Sequence, residues 1–206
     1  MPTTFLDVML AQVGDARGLR LLQRAGAAAF VTVLTVVAAQ VSIPLPFTPV
    51  PFTFQPMVVL LGAAVLGSRL GAASQIAYLA LGIAGIPVFA ASPILPQGMA
   101  RLIGPTGGYL MAYPVAAFAA GLLAERGFDR RYLTAVIAML CGLAIVFTGG
   151  VSWLALTQPL GKTSGWSAAL ASGLYPFILA DCAKVLLAAA VMPALWRFIA
   201  PPDRRR

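Results

Sequence analysis

Six long apolar runs, Leu21–Ser42, Phe52–Leu66, Leu70–Phe89, Tyr109–Ala124, Tyr132–Leu156 and Leu174–Ile199, occupy most of this 206-residue chain. A helix needs about 20 predominantly apolar residues to cross the hydrocarbon core of a bilayer, and most of the runs approach or exceed that length. The second is short, with Pro51 and Pro56 crowding its start, and the fourth is short unless Gly104–Gly108 extends it. Only 10% of the residues are charged, against about 25% in ordinary soluble domains. A chain this small cannot hide the 60% of its residues that are hydrophobic, so apolar surface must face lipid. The expected fold is all-α: a polytopic membrane protein of six transmembrane helices. It forms a single membrane domain over 1–206, with a short interfacial segment (1–20), a helical bundle (21–199) and a basic tail (200–206).

The basic residues set a direction. Arg17, Arg20, Arg24, Arg69, Arg126, Arg130, Arg131, Arg197, Arg204, Arg205 and Arg206 fall on one side of the alternating runs, Arg101 and Lys162 on the other, and Lys184 inside the last run. Lys and Arg accumulate on the cytoplasmic side, so both termini are expected there, as an even number of spans requires. The net charge of +8 therefore reflects topology and not a nucleic-acid partner, since the charges lie between apolar runs and not along one face. Arg17, Arg20 and Arg24 followed by Ala27-Ala28-Ala29 resemble a signal peptide. About 20 residues precede the run, however, and it exceeds the usual apolar stretch of such a peptide, so it is expected to remain as a helix. Within residues 1–16, Phe5, Leu6, Met9, Leu10 and Val13 recur at helical spacing with Asp7 and Asp15 between, which reads as a short interfacial helix.

Several chemistries are excluded. The chain has no His, which removes the commonest general base and the His-dependent triads. Cys141 and Cys182 lie in apolar stretches without a CxxC spacing, so neither a disulfide framework nor a metal site is indicated. Gly161-Lys162-Thr163 resembles the end of a phosphate loop, but Leu156 stands where the first glycine belongs and no strand precedes it. No cofactor is expected, and any ATP hydrolysis that drives transport belongs to another subunit. With no nucleophile–base pair or metal set in view, the chain reads as a non-enzyme.

Asp181 and Lys184 carry the most information. A charge near the centre of a spanning helix costs about 2.5–3.5 kcal/mol on insertion scales. Three residues apart, the two lie on one helix face and can pair, either to orient the helix or to form a polar ligand site. From a helix start near Leu174–Pro176, Asp181 falls about 8–11 Å below the outer boundary at about 1.5 Å per residue. Arg101 stands almost alone on the outer side, between Pro96-Gln97-Gly98 and Gly104-Pro105-Thr106-Gly107-Gly108-Tyr109; it is either a solvated residue or a partner for a ligand carboxylate. The outer segment Ile43–Pro56 holds five prolines and three phenylalanines but no charge. Such a segment is stiff and seeks apolar surface, as a lid or as an interfacial loop. Ala25 and Ala29, four apart near the cytoplasmic end of the first run, would let another helix approach closely, although in an Ala-rich chain such spacing also arises by chance.

Taken together, Pro49–Gln55 (PVPFTFQ), Gly85–Ala90 (GIPVFA), Gly104–Leu110 (GPTGGYL) and the late Asp181-x-x-Lys184 resemble the BioY family, the biotin-binding S-components of energy-coupling factor transporters. The resemblance covers most of the chain from the first run onward. It implies a six-helix bundle that captures biotin outside a bacterial or archaeal plasma (inner) membrane. It further implies association with a transmembrane coupling subunit, met through the Ala25/Ala29 face, and with two ATPase subunits. Some relatives carry Asn in the loop after the PVF motif, where this chain reads Ala90-Ala91-Ser92; a polar contact there falls to Ser92, backbone or water.

Biotin fits the residues. Its ureido ring has two N–H donors and a carbonyl acceptor, which a carboxylate beside an ammonium complements. The candidate ligand contacts are accordingly Asp181, Lys184, Gln55 and Thr53, with Phe52 and Tyr175 packing on the bicycle, Ser92 in the loop and Arg101 on the acidic tail. The alternatives are an S-component for another vitamin, or a structural or assembly subunit whose charged pair binds no small molecule.

Overall fold

The computed structural model describes residues 4–11, 17–92, 96–157 and 165–199. The phosphate-loop-like triplet with Lys162, the residues Val13 and Asp15, and the 200–206 tail lie outside them, as does the side chain of Arg17. The described chain is nearly all helical. In order it runs α1 (Phe5–Ala11), α2 (Arg17–Gln40), β1 (Ser42–Ile43), β2 (Phe52–Thr53), α3 (Gln55–Leu66), α4 (Ser68–Ile83), α5 (Met99–Ile103), α6 (Gly107–Glu125), a 3₁₀ turn (Phe128–Arg130), α7 (Tyr132–Thr157), α8 (Trp166–Gly173) and α9 (Tyr175–Ile199). Each of the six apolar runs contains a helix. Four of these, α2, α6, α7 and α9, are long and apolar enough to cross a membrane. The other two are shorter, with 12 residues in α3 and 16 in α4.

Local chemistry moves three expected boundaries. The second run begins as a strand, and its helix starts only at Gln55, where Pro56 occupies the first turn and needs no hydrogen-bonded N–H. The third run does not stay helical to Phe89. It stops at Ile83, because Gly85 takes the left-handed conformation (φ 91°) that ends helices readily, and Pro87 follows. The connector between α7 and α9 holds the short helix α8, which its mixed composition did not signal.

α6 is the centre of the bundle, packed against α7, α4 and α3. Its start is set by Gly107, where a Cβ would overlap the carbonyl of Leu102, so only glycine lets α5 turn so tightly into α6. α2 and α4 share a polar seam. Thr32 Oγ1 donates to Ser74 O at 2.9 Å, and Gln75 Nε2 donates to Thr35 Oγ1 at 3.3 Å; such bonds join helices where hydrocarbon offers no partners. At the opposite end of α6, Glu125 accepts from Ser68 N and Oγ at 2.7 and 2.8 Å, placing a carboxylate at the positive end of α4.

The expected short N-terminal helix is present. Thr4 and Asp7 cap it reciprocally in the manner of a capping box. Three of its apolar residues meet protein, while Met9 is exposed: Leu6 and Leu10 pack with Val31 and Leu66, and Phe5 stands edge-on to Trp196 at 5.4 Å. Asp7 pairs with Arg24 at 2.6 Å. Nearby, Asp129 accepts from Trp196 Nε1 at 2.6 Å through one oxygen, while its other oxygen is buried with no partner among the described residues. Burial pushes the Asp129 carboxyl above the usual carboxylate value, a shift that the Trp196 bond opposes.

Candidate ligand-binding site

α9 carries a stripe at helical spacing, Phe177, Asp181, Lys184 and Val185, and all four are buried. Lys184 Nζ donates to Asp181 Oδ1 at 2.7 Å and to the backbone carbonyl of Thr53 at 2.6 Å. It also lies 3.4 Å from the centroid of the Phe52 ring, a cation–π contact strengthened by desolvation. Neither charge is left alone in the low-dielectric interior, which is what makes such a pair tolerable there.

The 41–54 segment reaches this pair because it folds back on itself. Ser42 pairs with Thr53 and Ile43 with Phe52 in a two-stranded antiparallel ladder. Side chains then pin it from three sides: Ser42 Oγ to Ala91 O at 3.1 Å, Thr48 Oγ1 to Ser172 O at 2.6 Å, and Lys184 to Thr53 O. The proline-rich stretch thus lies across the ends of α8 and α9.

Beneath it is a cavity of about 600 Å³ when its open mouth is counted. Val50, Pro51, Thr53, Gln55 and Pro56 form one wall. Phe89, Ala90 and Arg101 form a second, Thr106, Tyr109, Leu110 and Tyr113 a third, and α7 and α9 close it with Val146, Phe147, Phe177 and Asp181. The wall is mostly apolar and aromatic, with a few convergent polar groups. Gln55 Nε2 donates to Tyr78 OH at 2.7 Å, and Tyr78 donates on to Val88 O at 3.2 Å, which fixes the amide on the wall. Tyr109 OH donates to Gly173 O at 2.8 Å, tying α6 to the end of α8.

Arg101, although on a five-residue helix outside the long spans, is 1% exposed. Its guanidinium donates to Ala90 O at 2.6 Å and Pro96 O at 2.8 Å. Burial lowers its pKa from the ordinary guanidinium value, yet guanidinium remains charged at any working pH. It is therefore a held cation on the cavity wall.

Of the residues picked from the sequence, Asp181, Arg101, Gln55 and Thr53 come together on this wall. Lys184 stands behind it and reaches the cavity only through Asp181, and Phe52 packs on Lys184. Ser92 lies two residues beyond Ala90 and is not a wall residue. Tyr175 does not join the site either: it is 62% exposed, because two residues of helix turn it away from the stripe on which Phe177 faces inward. Sequence reasoning passed over Phe177, Thr106, Tyr109 and Tyr113. Phe177 was readable as the residue four before Asp181, and Thr106 and Tyr109 stand inside the GPTGGYL motif. Ala25 and Ala29 are exposed on α2, far along the chain from every wall residue.

The family model of the BioY family matches residues 11–201. A protein of Pyrococcus horikoshii described as a probable biotin transporter BioY is 40% identical over 162 residues, covering 79% of this chain and 89% of the relative. The biotin transporter BioY of Thermotoga maritima is 40% identical over 162 residues, covering 78% of this chain and 88% of the relative. Among solved structures, the S-component for biotin from an ECF-type ABC transporter superposes with a TM-score of 0.76 at 26% identity, covering 89% of this chain and 95% of that one.

Proposed function

The chain belongs to the BioY family, and from that premise we propose how it captures biotin as the S-component of an energy-coupling factor transporter. It is a transport component and not an enzyme. The observation that carries the reading is Asp181: a carboxylate on the wall of a mostly apolar cavity, with Lys184 directly behind it at 2.7 Å. An ionised carboxylate accepts and does not donate, so it suits the two N–H groups of a ureido ring. Lys184 pairs with that carboxylate and is a positioning residue. Gln55 adds an amide on the adjoining wall, the aromatic side chains of Phe89, Tyr109, Tyr113 and Phe177 enclose the bicycle, and Arg101 supplies positive charge for the acidic tail.

The 41–54 segment serves as the lid over this cavity, closed by its bonds to Ala91, Ser172 and Lys184. The α2, α3, α4, α6, α7 and α9 helices are the six spans, with α3 and α4 short because the 41–54 and 84–92 segments fill the outer layer above them. Both termini are cytoplasmic, in accord with the arginine distribution, in the plasma membrane of the cell. Ala25 and Ala29 then face the lipid near the cytoplasmic end of α2, where a transmembrane coupling subunit docks, and that subunit brings two ATPase subunits.

Purification in detergent followed by mass spectrometry of the released small molecules tests the reading. One biotin per chain, displaceable by added labelled biotin, is the expected result. A chain that takes up no biotin, alone or after incubation with it, contradicts the proposal.

A further inference from the structure

Residues 88–91, two of which line the cavity, form neither helix nor strand, and side chains from elsewhere take up their carbonyls. Val88 O accepts from Tyr78 OH at 3.2 Å and from Gln40 Nε2 at 3.4 Å. Phe89 O accepts from Gln40 Nε2 and from Gln97 Nε2, both at 3.4 Å. Ala90 O accepts from Arg101, and Ala91 O from Ser42 Oγ at 3.1 Å. Backbone polar groups away from water need partners, and here neither a helix nor a ladder supplies them. The path of this wall is therefore set by where the donors stand.

Gln40 ties that wall to a peripheral helix. It is the last residue of α2, lies outside the cavity lining, and reaches two consecutive carbonyls 48 and 49 residues away. Phe30, Val33 and Val37 leave the outer side of α2 exposed. Phe89 is a wall residue and is buried. Its ring packs over Gly82, where a Cβ would overlap it, and stands edge-on to Tyr78 at 5.5 Å. The ring is thus seated on α4, while its backbone is held from α2. We propose that Gln40 is a positioning residue: from outside the cavity it fixes the Phe89 backbone on the wall, and so links ligand release to the outer end of α2. A ligand that presses on Phe89 steadies the carbonyls to which Gln40 is bonded, and such linkage is reciprocal. This rests on the reading of the chain as a biotin-capturing S-component.

The test uses the full chain in detergent and reads two quantities: release of labelled biotin, and hydrogen exchange with and without biotin. Gln40→Met keeps an unbranched side chain and removes the donor. Release should be about 2- to 10-fold faster, the usual effect of losing uncharged hydrogen bonds, with association within about twofold of the parent, since changes of this kind act mainly on release. Gln40→Lys, which keeps a donor on a flexible stem, should release biotin at near the parent rate. In the parent, biotin should slow exchange both at 84–92 and in the last turns of α2; in Gln40→Met it should slow exchange at 84–92 alone. If Gln40→Met does not remain monodisperse, Gln40→Ala reads the same two quantities. Unchanged release in the donor-free variant, equal release from the Met and Lys variants, or equal protection of α2 in variant and parent overturns the assignment. A parent that binds no biotin overturns the functional reading itself, a result distinct from these.

Discussion

Lys184 Nζ lies 2.6 Å from the backbone carbonyl of Thr53, across 131 residues of sequence, and so joins the charged stripe of α9 to the closed edge of the proline-rich segment. The same ammonium neutralises Asp181. One side chain thus holds both the segment and the carboxylate. Lys184→Gln removes the charge from both contacts, and breaking a buried pair costs about 3–5 kcal/mol. Hydrogen exchange should rise at 41–54 ahead of the rest of the bundle, with biotin weakened by at least about tenfold. Unchanged exchange in that segment would show that its other two anchors suffice.

The two aromatic residues at the start of α9 should separate cleanly. Phe177 lines the cavity and Tyr175 is exposed. Phe177→Leu keeps an apolar wall but buries less of it against the ligand, at about 0.8 kcal/mol per CH₂ equivalent lost, which is roughly fourfold in Kd. Tyr175→Leu should leave Kd unchanged. Equilibrium titration of both variants checks the pair, and the reverse order would place the ligand on the other side of the helix.

Ala25 and Ala29 are exposed on α2, so neither is needed for packing within the chain. Ala25→Leu and Ala29→Leu should leave biotin binding by the isolated chain intact while reducing ATP-dependent uptake by the assembled transporter, because the added side chain holds the partner helix away. Uptake that survives both substitutions would move the docking face elsewhere.

Asp129 gives a pH prediction outside the spanning helices. Its carboxyl is held above the ordinary value by burial, so the folded chain favours the protonated form. Its contribution to stability is fully present below the unfolded value of about 3.9 and is lost as pH rises through the raised folded value. Asp129→Asn keeps an acceptor for Trp196 Nε1 and removes the ionisation. Thermal unfolding in detergent should show a flatter decline for this variant from acid toward neutral pH, with no loss at neutral pH. A parallel decline in parent and variant would mean that another group titrates.

Apolar length is a signal written along the chain, which is why every long run produced a helix, and helical spacing was enough to place Asp181 and Lys184 on one face. What was not legible depends on distance in space. Nothing in the 41–54 composition indicates that Ser42 pairs with Thr53, or that Thr53 offers its carbonyl to Lys184. Gly85 and Pro87 did signal the early end of α4, but the apolar residues beyond them masked it. Tyr175 and Phe177 are equivalent as aromatic residues, and only the phase of α9 tells them apart.

The most direct test of the account is the Kd for biotin of Asp181→Asn, measured by titration on folded, monodisperse protein. The substitution keeps the size of the side chain but replaces one accepting oxygen with a donor that opposes the ureido N–H groups. A lost charge-assisted hydrogen bond is worth about 1.5–3 kcal/mol, so affinity should fall by about 10- to 150-fold. If Asp181→Asn binds biotin as tightly as the parent, the pair on α9 only holds the bundle and lid together, and the ligand is recognised elsewhere.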